Sequence, residues 1–383
     1  MENLIFLILS LLSLINVDVK CNNLFFKDYM ELNNTYNIRG IFVWMIFFRH
    51  CTSYYNRNNG KTSIIIDVSL QQNIVSLFLF YSGYGIYKSF EQKGIGYIKT
   101  LPIKSLIIFI KSQLILLIFL INNKILGNKI SLKHYLYAVI FKKSIGNSYW
   151  FAFAIITLYI HSFISFILIR NKKFNFLGII FITIICYYHA KYVYKYYHPN
   201  EIISVDNIIC FVIGFYYSFL NPYIDKIIMF NDIIYFISTS TFAYFYYIFY
   251  KHPNRANVYY ISLKNLFFTL LTVVLTMKIK FNNDFLKFLN SHSYSIYLIQ
   301  RIPMIFIAKK GIFRDNLFIG FFFEFSVVVT MACIFDKFTK SIDTFIYKCF
   351  CIGINSKKNY SSIKTFKKMK TSNQTHSKYL FFK

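Results

Sequence analysis

Residues 38–50 read IRGIFVWMIFFRH, an apolar run that carries Arg39, Arg49 and His50. A charged side chain near the middle of a membrane helix costs about 2.5–3.5 kcal/mol even on insertion scales. Arg39 and His50 stand eleven residues apart. At about 100° per residue that spacing is three turns plus a small offset, so both side chains share one face, about 16 Å apart along the axis. Arg49 falls off that face. The geometry predicts a fixed cation at the mouth of a helix and a titratable imidazole about halfway through a ~30 Å hydrocarbon core. A cation at the mouth holds a phosphate or carboxylate. A histidine deep inside takes a proton from a hydroxyl or carries an acyl group.

Composition puts that helix in a membrane. The chain has 383 residues, 56% of them hydrophobic and 21% aromatic, with a mean hydropathy of +0.45. The charged residues, 15% of the total, sit in clumps between continuous apolar runs. Helices satisfy their own backbone in lipid, and a transmembrane barrel would alternate instead. The expected fold is an all-α polytopic membrane protein, a bundle of about ten transmembrane helices plus one N-terminal accessory helix. The runs lie near 38–55, 64–87, 101–121, 148–169, 175–193, 204–220, 231–250, 258–278, 293–309 and 316–336, with the accessory helix at 3–17. The segment 131–142 is too short to span and reads as interfacial. Residues 1–35 form the accessory membrane helix and a cytoplasmic linker, 36–340 the main domain, and 341–383 a basic, disordered cytoplasmic tail. LIFLILSLLSLINV at the start resembles a signal-peptide core, but it lacks a preceding positive charge and a small-residue cleavage site, so a retained helix is expected.

The net charge of +28 suggests nucleic acid at first sight. Lysine far outnumbers arginine, and asparagine, isoleucine, tyrosine and phenylalanine are all inflated, as an AT-rich coding bias would produce. From Lys337 to Lys383 eleven lysines face one acid, Asp343. A basic tail beside a membrane marks the cytoplasmic side and contacts anionic lipid. Membrane lipids rather than nucleic acid are therefore the expected partners. The seven cysteines are scattered and read as free thiols. No zinc, Walker or cysteine-cluster motif is present, and no metal is expected.

The order of motifs carries a resemblance. Arg39, ten residues and His50 in the opening core helix resemble the signature of the membrane-bound acyltransferase-3 family, which O-acylates carbohydrates and related acceptors. FLFYSGYGIYKSF (78–90), YIKTLPIKSL (97–106), NSYWFAFAIITLYI (147–160) and SYSIYLIQRIPMIF (293–306) resemble that family's later segments, in family order. Three features depart from it: Gln300 where many relatives carry histidine, Lys104 where arginine is frequent, and the accessory helix. The resemblance implies an integral-membrane O-acyltransferase of the bacterial cytoplasmic membrane. It would move an acetyl group from acetyl-CoA to a sugar hydroxyl of a surface polysaccharide or lipid-linked glycan. His50 and Arg39 are its catalytic candidates, with His50 as base or acyl relay. Arg39, Lys104 and Lys99 are the candidates for the donor's phosphates, the lysines also reading as boundary anchors. Ser82, Tyr84, Tyr149, Trp150, Tyr297 and Gln300 are candidates for the acceptor. Ser82-Gly83 reads equally as a helix-packing site, and Tyr149-Trp150 as an interfacial belt. Tyr294, Tyr297 and Gln300 share a helix face. His134, His161, His189, His198 and His252 read as surface or satisfied histidines. Glu324 is intramembrane and has no partner evident from sequence. The competing reading is a polysaccharide polymerase, flippase or transporter, although no internal repeat is visible.

Overall fold

The computed structural model describes residues 2–59, 68–169, 174–196, 207–252, 257–313 and 316–352. His198 and the tail beyond 352 lie outside them. A short helix α1 (Glu2–Ser13) and a strand β1 (Val17–Val19) precede two long helices, α2 (Leu32–Asn59) and α3 (Val68–Lys93). The turn α4 (Ile95–Ile98) leads into α5 (Leu101–Ile125) and the small helix α6 (Leu132–Val139). Then come α7 (Tyr149–Ile167), α8 (Asn175–Tyr196), α9 (Ile208–Ile228), α10 (Asp232–Lys251) and α11 (Val258–Leu275). Strand β2 (Ile279–Phe281) opens a jointed run, α12 (Asp284–Ser291), α13 (Ser293–Ile299) and α14 (Arg301–Lys310). Helix α15 (Leu317–Ile352) is last and longest.

Among the described residues six helices are long and apolar enough to cross a membrane: α5 with the α4 turn, α7, α8, α9, α11 and α15. The chain is an all-α integral membrane protein, and the six fall short of the ten expected from sequence. The difference has a physical reason. Helix α2 is 28 residues long, yet its middle is enclosed by other helices: Asn37, Arg39, His50 and Thr52 are all buried. A helix surrounded by protein need not be apolar to be stable in a membrane. Helix α8 is the opposite case. Phe181, Ile184, Tyr187, Tyr188 and Tyr192 are exposed on it, a surface suited to lipid.

Two boundary expectations are corrected. Helix α1 has 12 residues, about 18 Å, too short to cross a bilayer. It lies antiparallel along α2: the Trp44 indole donates to Ser13 Oγ at 2.9 Å, and Phe6 packs 5.7 Å from Trp44 and 5.9 Å from Phe48. The segment after it is no free linker. β1 pairs antiparallel with β2, Val17 opposite Phe281, and ion pairs Lys280–Asp28 and Lys278–Asp232, both 2.6 Å, fasten this end. Near the other terminus, the last twelve residues of α15 fall within the expected tail. Ile342 and Ile346 pack on Ile103 and Ile107 of α5, and Asp343 pairs with Lys111 at 2.8 Å. The segment 131–142 forms the short helix α6, capped by Ser131, whose Oγ accepts from the His134 amide. Six cysteines are free thiols among the described residues.

Asn283 ties three elements together. Its Oδ1 accepts from the Phe285 and Leu286 amides, capping α12, its Nδ2 donates to Leu12 O at 2.7 Å, and its amide donates to Asn37 Oδ1. Loss of an N-cap costs about 0.5–2 kcal/mol. Asn283→Ala is expected to lower the melting temperature of detergent-solubilised protein by a few degrees, read by a thermal scan.

Candidate active site

On α2 the positions Arg39, Val43, Ile46 and His50 recur at steps of four, three and four, one continuous stripe. All four are buried, Arg39 at 8% exposure and His50 at 6%. Helix α12 lies directly on α2, because Gly40 has no side chain: a Cβ there would overlap the Leu286 carbonyl. The run then breaks at His292 and again at Gln300. Below the contact, α13 leaves a crevice against the stripe. The crevice holds about 400 Å3 out to its open mouth. Val43 and Ile46 form its floor, Val75, Phe78 and Phe151 its sides, and Tyr294, Tyr297 and Gln300 its roof. The three roof residues share a face, as their spacing predicts. The crevice thus opens over Val43 and Ile46, the two stripe positions between Arg39 and His50.

Arg39 is not at the mouth of its helix. α2 opens at Leu32, about two turns earlier than the apolar run suggests, so Arg39 sits about 10 Å inside. Its Nε donates to Thr35 O, and its guanidinium lies 4.8 Å over the Tyr36 ring. Tyr81 and Tyr159 lie within its electrostatic reach. Tyr159 faces Ser82 on one side and Tyr97 on the other. Lys104 Nζ donates to the Tyr97 hydroxyl at 3.2 Å and sits 4.3 Å over its ring; Lys93 approaches the same ring at 5.9 Å. A relay of phenols therefore joins Arg39, Ser82 and Lys104. Lys99 is exposed and stands outside that relay. Tyr84 turns to the opposite face of α3 and packs 6.4 Å from Tyr217. There the Tyr29 hydroxyl bonds Tyr217 at 2.8 Å and donates to Asp225 at 2.7 Å.

Within the crevice Phe151 packs 4.7 Å from Tyr297, and Trp150 stands edge-on to that tyrosine at 6.4 Å. The Tyr149 side chain lies outside the described residues. Gln300 Nε2 donates to Tyr297 O, while its Oε1 is buried with no hydrogen-bond partner among the described residues. His50 lies within electrostatic reach of both Arg49 and Arg301. The Nε of Arg301 is buried without a hydrogen-bond partner among the described residues. Sequence reasoning passed over Arg301, although the signal was the one used for Arg39: a cation inside an apolar run.

Residues once without partners gain them. Asp336 of α15 contacts His292 Nδ1 at 2.5 Å and accepts from Ser295 Oγ at 2.5 Å, which fixes α13 against α15. Tyr294 shares a hydrogen bond with Ser112 at 3.0 Å. Glu324 accepts from the Cys51 thiol at 3.2 Å. His161 and His189 face each other at 5.0 Å, His252 stacks on Tyr260 at 3.6 Å, and His134 bonds Ser144 O, so these histidines are satisfied within the fold.

The fold is thus a helical membrane bundle with Arg39 and His50 buried on one face of α2. The acyltransferase-domain family model matches residues 36–335, and the chain belongs to this family, the membrane acyltransferases of the acyltransferase-3 type. No curated protein and no solved structure matches the chain.

Proposed function

We propose that this membrane acyltransferase moves an acetyl group from acetyl-CoA to a sugar hydroxyl of a surface polysaccharide or lipid-linked glycan. The setting is a bacterial cytoplasmic membrane, with the C-terminal tail and the Arg39 end on the cytoplasmic side. In this arrangement α2, α3, α10 and the jointed run α12–α14 also cross the bilayer, which restores ten spans. One observation supports the reading: an apolar crevice over Val43 and Ile46, on the α2 face that Arg39 and His50 bracket. Lys104, Lys93 and Arg39 supply cations for the donor's phosphates. The crevice between them and His50 suits the flexible, largely apolar arm that bears the thioester. Membership of an acyltransferase family favours this reading over a polymerase, flippase or transporter.

His50 acts as general base in the proposed reaction. It takes the proton of the acceptor hydroxyl as that oxygen bonds to the thioester carbonyl carbon. The carbonyl oxygen becomes an oxyanion, and the Arg301 guanidinium beside His50 is placed to stabilise it. The oxyanion then re-forms the carbonyl, the carbon–sulfur bond breaks, and the leaving thiolate takes the proton that His50 holds. Gln300 Oε1 is available to accept from the substrate.

The test uses radiolabelled acetyl-CoA with membranes holding the full chain. Arg39→Ala is expected to raise the KM for acetyl-CoA about 10- to 100-fold, the worth of one charge-assisted hydrogen bond. Wild-type kinetics in both Arg39→Ala and His50→Ala would sink the proposal.

A further inference from the structure

Arg49 has no place in the stripe that carries Arg39 and His50. It stands on a different edge of α2. From Asn37 to Thr52 every residue is buried except Ile41, Met45 and Arg49, which recur at steps of four. A second arginine comes to the same imidazole from another helix. Arg301 opens α14, which packs on α2, and both Arg49 and Arg301 lie within electrostatic reach of His50. Each arginine is part-exposed although its Nε is buried. A group held by the pair meets them from the surface, so no enclosed cavity is needed.

Two further observations point to a ligand. Arg301 forms no ion pair among the described residues, and its Nε has no hydrogen-bond partner there. A cation at this depth is costly unless something neutralises it. The buried carboxyl of Glu324 does not. It accepts from the Cys51 thiol, and Cys51 lies two residues past Arg49, about 200° around α2, on the far side of that helix. The second observation is Gln300, the neighbour of Arg301. It is 1% exposed, it borders the crevice, and its Oε1 has no partner among the described residues. A bare acceptor thus stands beside a bare cation.

We propose that Arg49 and Arg301 form an anion site beside His50, and that the acceptor is an acidic glycan bearing a phosphate or a carboxylate next to the hydroxyl it offers. The inference rests on the acyl-transfer reading given above. A guanidinium matches either group with two parallel hydrogen bonds. A neutral sugar would leave Arg301 unneutralised, so the charge pattern selects against it. The sugar hydroxyl donates to Gln300 Oε1, which an anion cannot do. Five donors on one guanidinium let Arg301 hold the acceptor with one edge and meet the developing oxyanion with another. A phosphate would come from a lipid-linked glycan and a carboxylate from an acidic sugar; the recognising chemistry is the same.

The experiment uses detergent-purified full chain, radiolabelled acetyl-CoA, and matched acceptors built on glucose and on galactose: the methyl glycoside, the methyl uronide and the sugar 1-phosphate. The readout is the ratio of kcat/KM for an anionic acceptor to that for its neutral match. This ratio does not depend on the amount of folded protein, and a loss of oxyanion stabilisation lowers both values alike. Wild type is expected to favour an anionic acceptor about tenfold or more, and Arg49→Gln and Arg301→Gln are each expected to bring the ratio close to one. The better of the two anions identifies the source. Transfer by wild type without that preference, or a ratio unchanged in either variant, overturns the anion site and leaves the acyltransferase reading intact. Binding of the acceptors is measured separately by equilibrium dialysis with saturating coenzyme A. Preferential binding of an anionic acceptor that both variants weaken, in a chain that transfers no acetyl group, keeps the site and overturns that reading. No transfer, with no such binding or with binding that either variant leaves unchanged, overturns both.

Discussion

His50→Ala is expected to slow acetyl transfer about 10²- to 10⁴-fold, the usual contribution of a positioned general base, while folded protein remains in the membrane. The reason is position. His50 ends the stripe, one turn past the floor residue Ile46, with Arg301 and Arg49 in reach. Truncation removes ring atoms from a buried place and costs some stability, of order 1–3 kcal/mol. That loss is separable from catalysis. The variant's amount and monodispersity after detergent extraction report folding, and labelled acetyl transfer per folded molecule reports chemistry. His50→Gln keeps a polar side chain of similar size and is expected to be as inactive. Full activity per molecule in either variant would remove His50 from the reaction.

Much of this site was legible from the sequence, because helical periodicity is a strong signal. The eleven-residue interval between Arg39 and His50 fixes a shared face in any regular helix, and the structure places the crevice on that face. Depth was less legible. The stretch ELNNTYN reads as a polar lead-in, so the helix was expected from Ile38. Two of its asparagines are instead buried and paired: Asn34 Nδ2 donates to Asp28 O, and Asn37 Nδ2 donates to Asn33 O at 2.9 Å. Hydropathy equates polar with outside, and that equation fails where protein rather than lipid or water surrounds the helix. The same failure explains α12, whose Asn283 and Asn290 are buried, and the missed joints at His292 and Gln300. Helix α15 shows the reverse error. Lys337, Lys340 and Lys348 marked a tail, yet Ile342 and Ile346 at a four-residue step kept one face apolar for α5.

Partners across the bundle were not legible at all. Nothing local links Cys51 to Glu324, or His292 to Asp336, because the pairs are 273 and 44 residues apart. Lys99 and Lys104 looked equivalent in YIKTLPIKSL, but Pro102 starts α5 between them and only Lys104 points inward to Tyr97. Tyr84 follows Ser82 by two residues, which on a helix is about 200°, so it faces away from Arg39.

Gly83→Val and Gly214→Val are each expected to abolish most of the folded protein. The two glycines make reciprocal contacts between α3 and α9. A Cβ on Gly83 would meet the Phe211 carbonyl, and a Cβ on Gly214 would meet the Phe80 carbonyl and the Tyr84 amide. Small residues at such crossings let membrane helices approach until their backbones touch, which is where packing between them is strongest. The obstructing atoms are backbone, so no change of rotamer relieves the collision; the helices must separate. Overpacking of a core costs about 1–3 kcal/mol when side chains absorb it, and more is expected where they cannot. The consequence reaches the active site, because α3 also carries Val75, Phe78, Tyr81 and Ser82 along the crevice and the Arg39 relay. Gly96 supplies the control. It sits in the α4 turn, where an added Cβ meets nothing within 4 Å, so Gly96→Ala should behave as wild type. Size-exclusion profiles and thermal scans of the three variants in detergent decide the matter. Gly83→Val and Gly214→Val that melt with Gly96→Ala would show that α3 and α9 do not pack backbone to backbone.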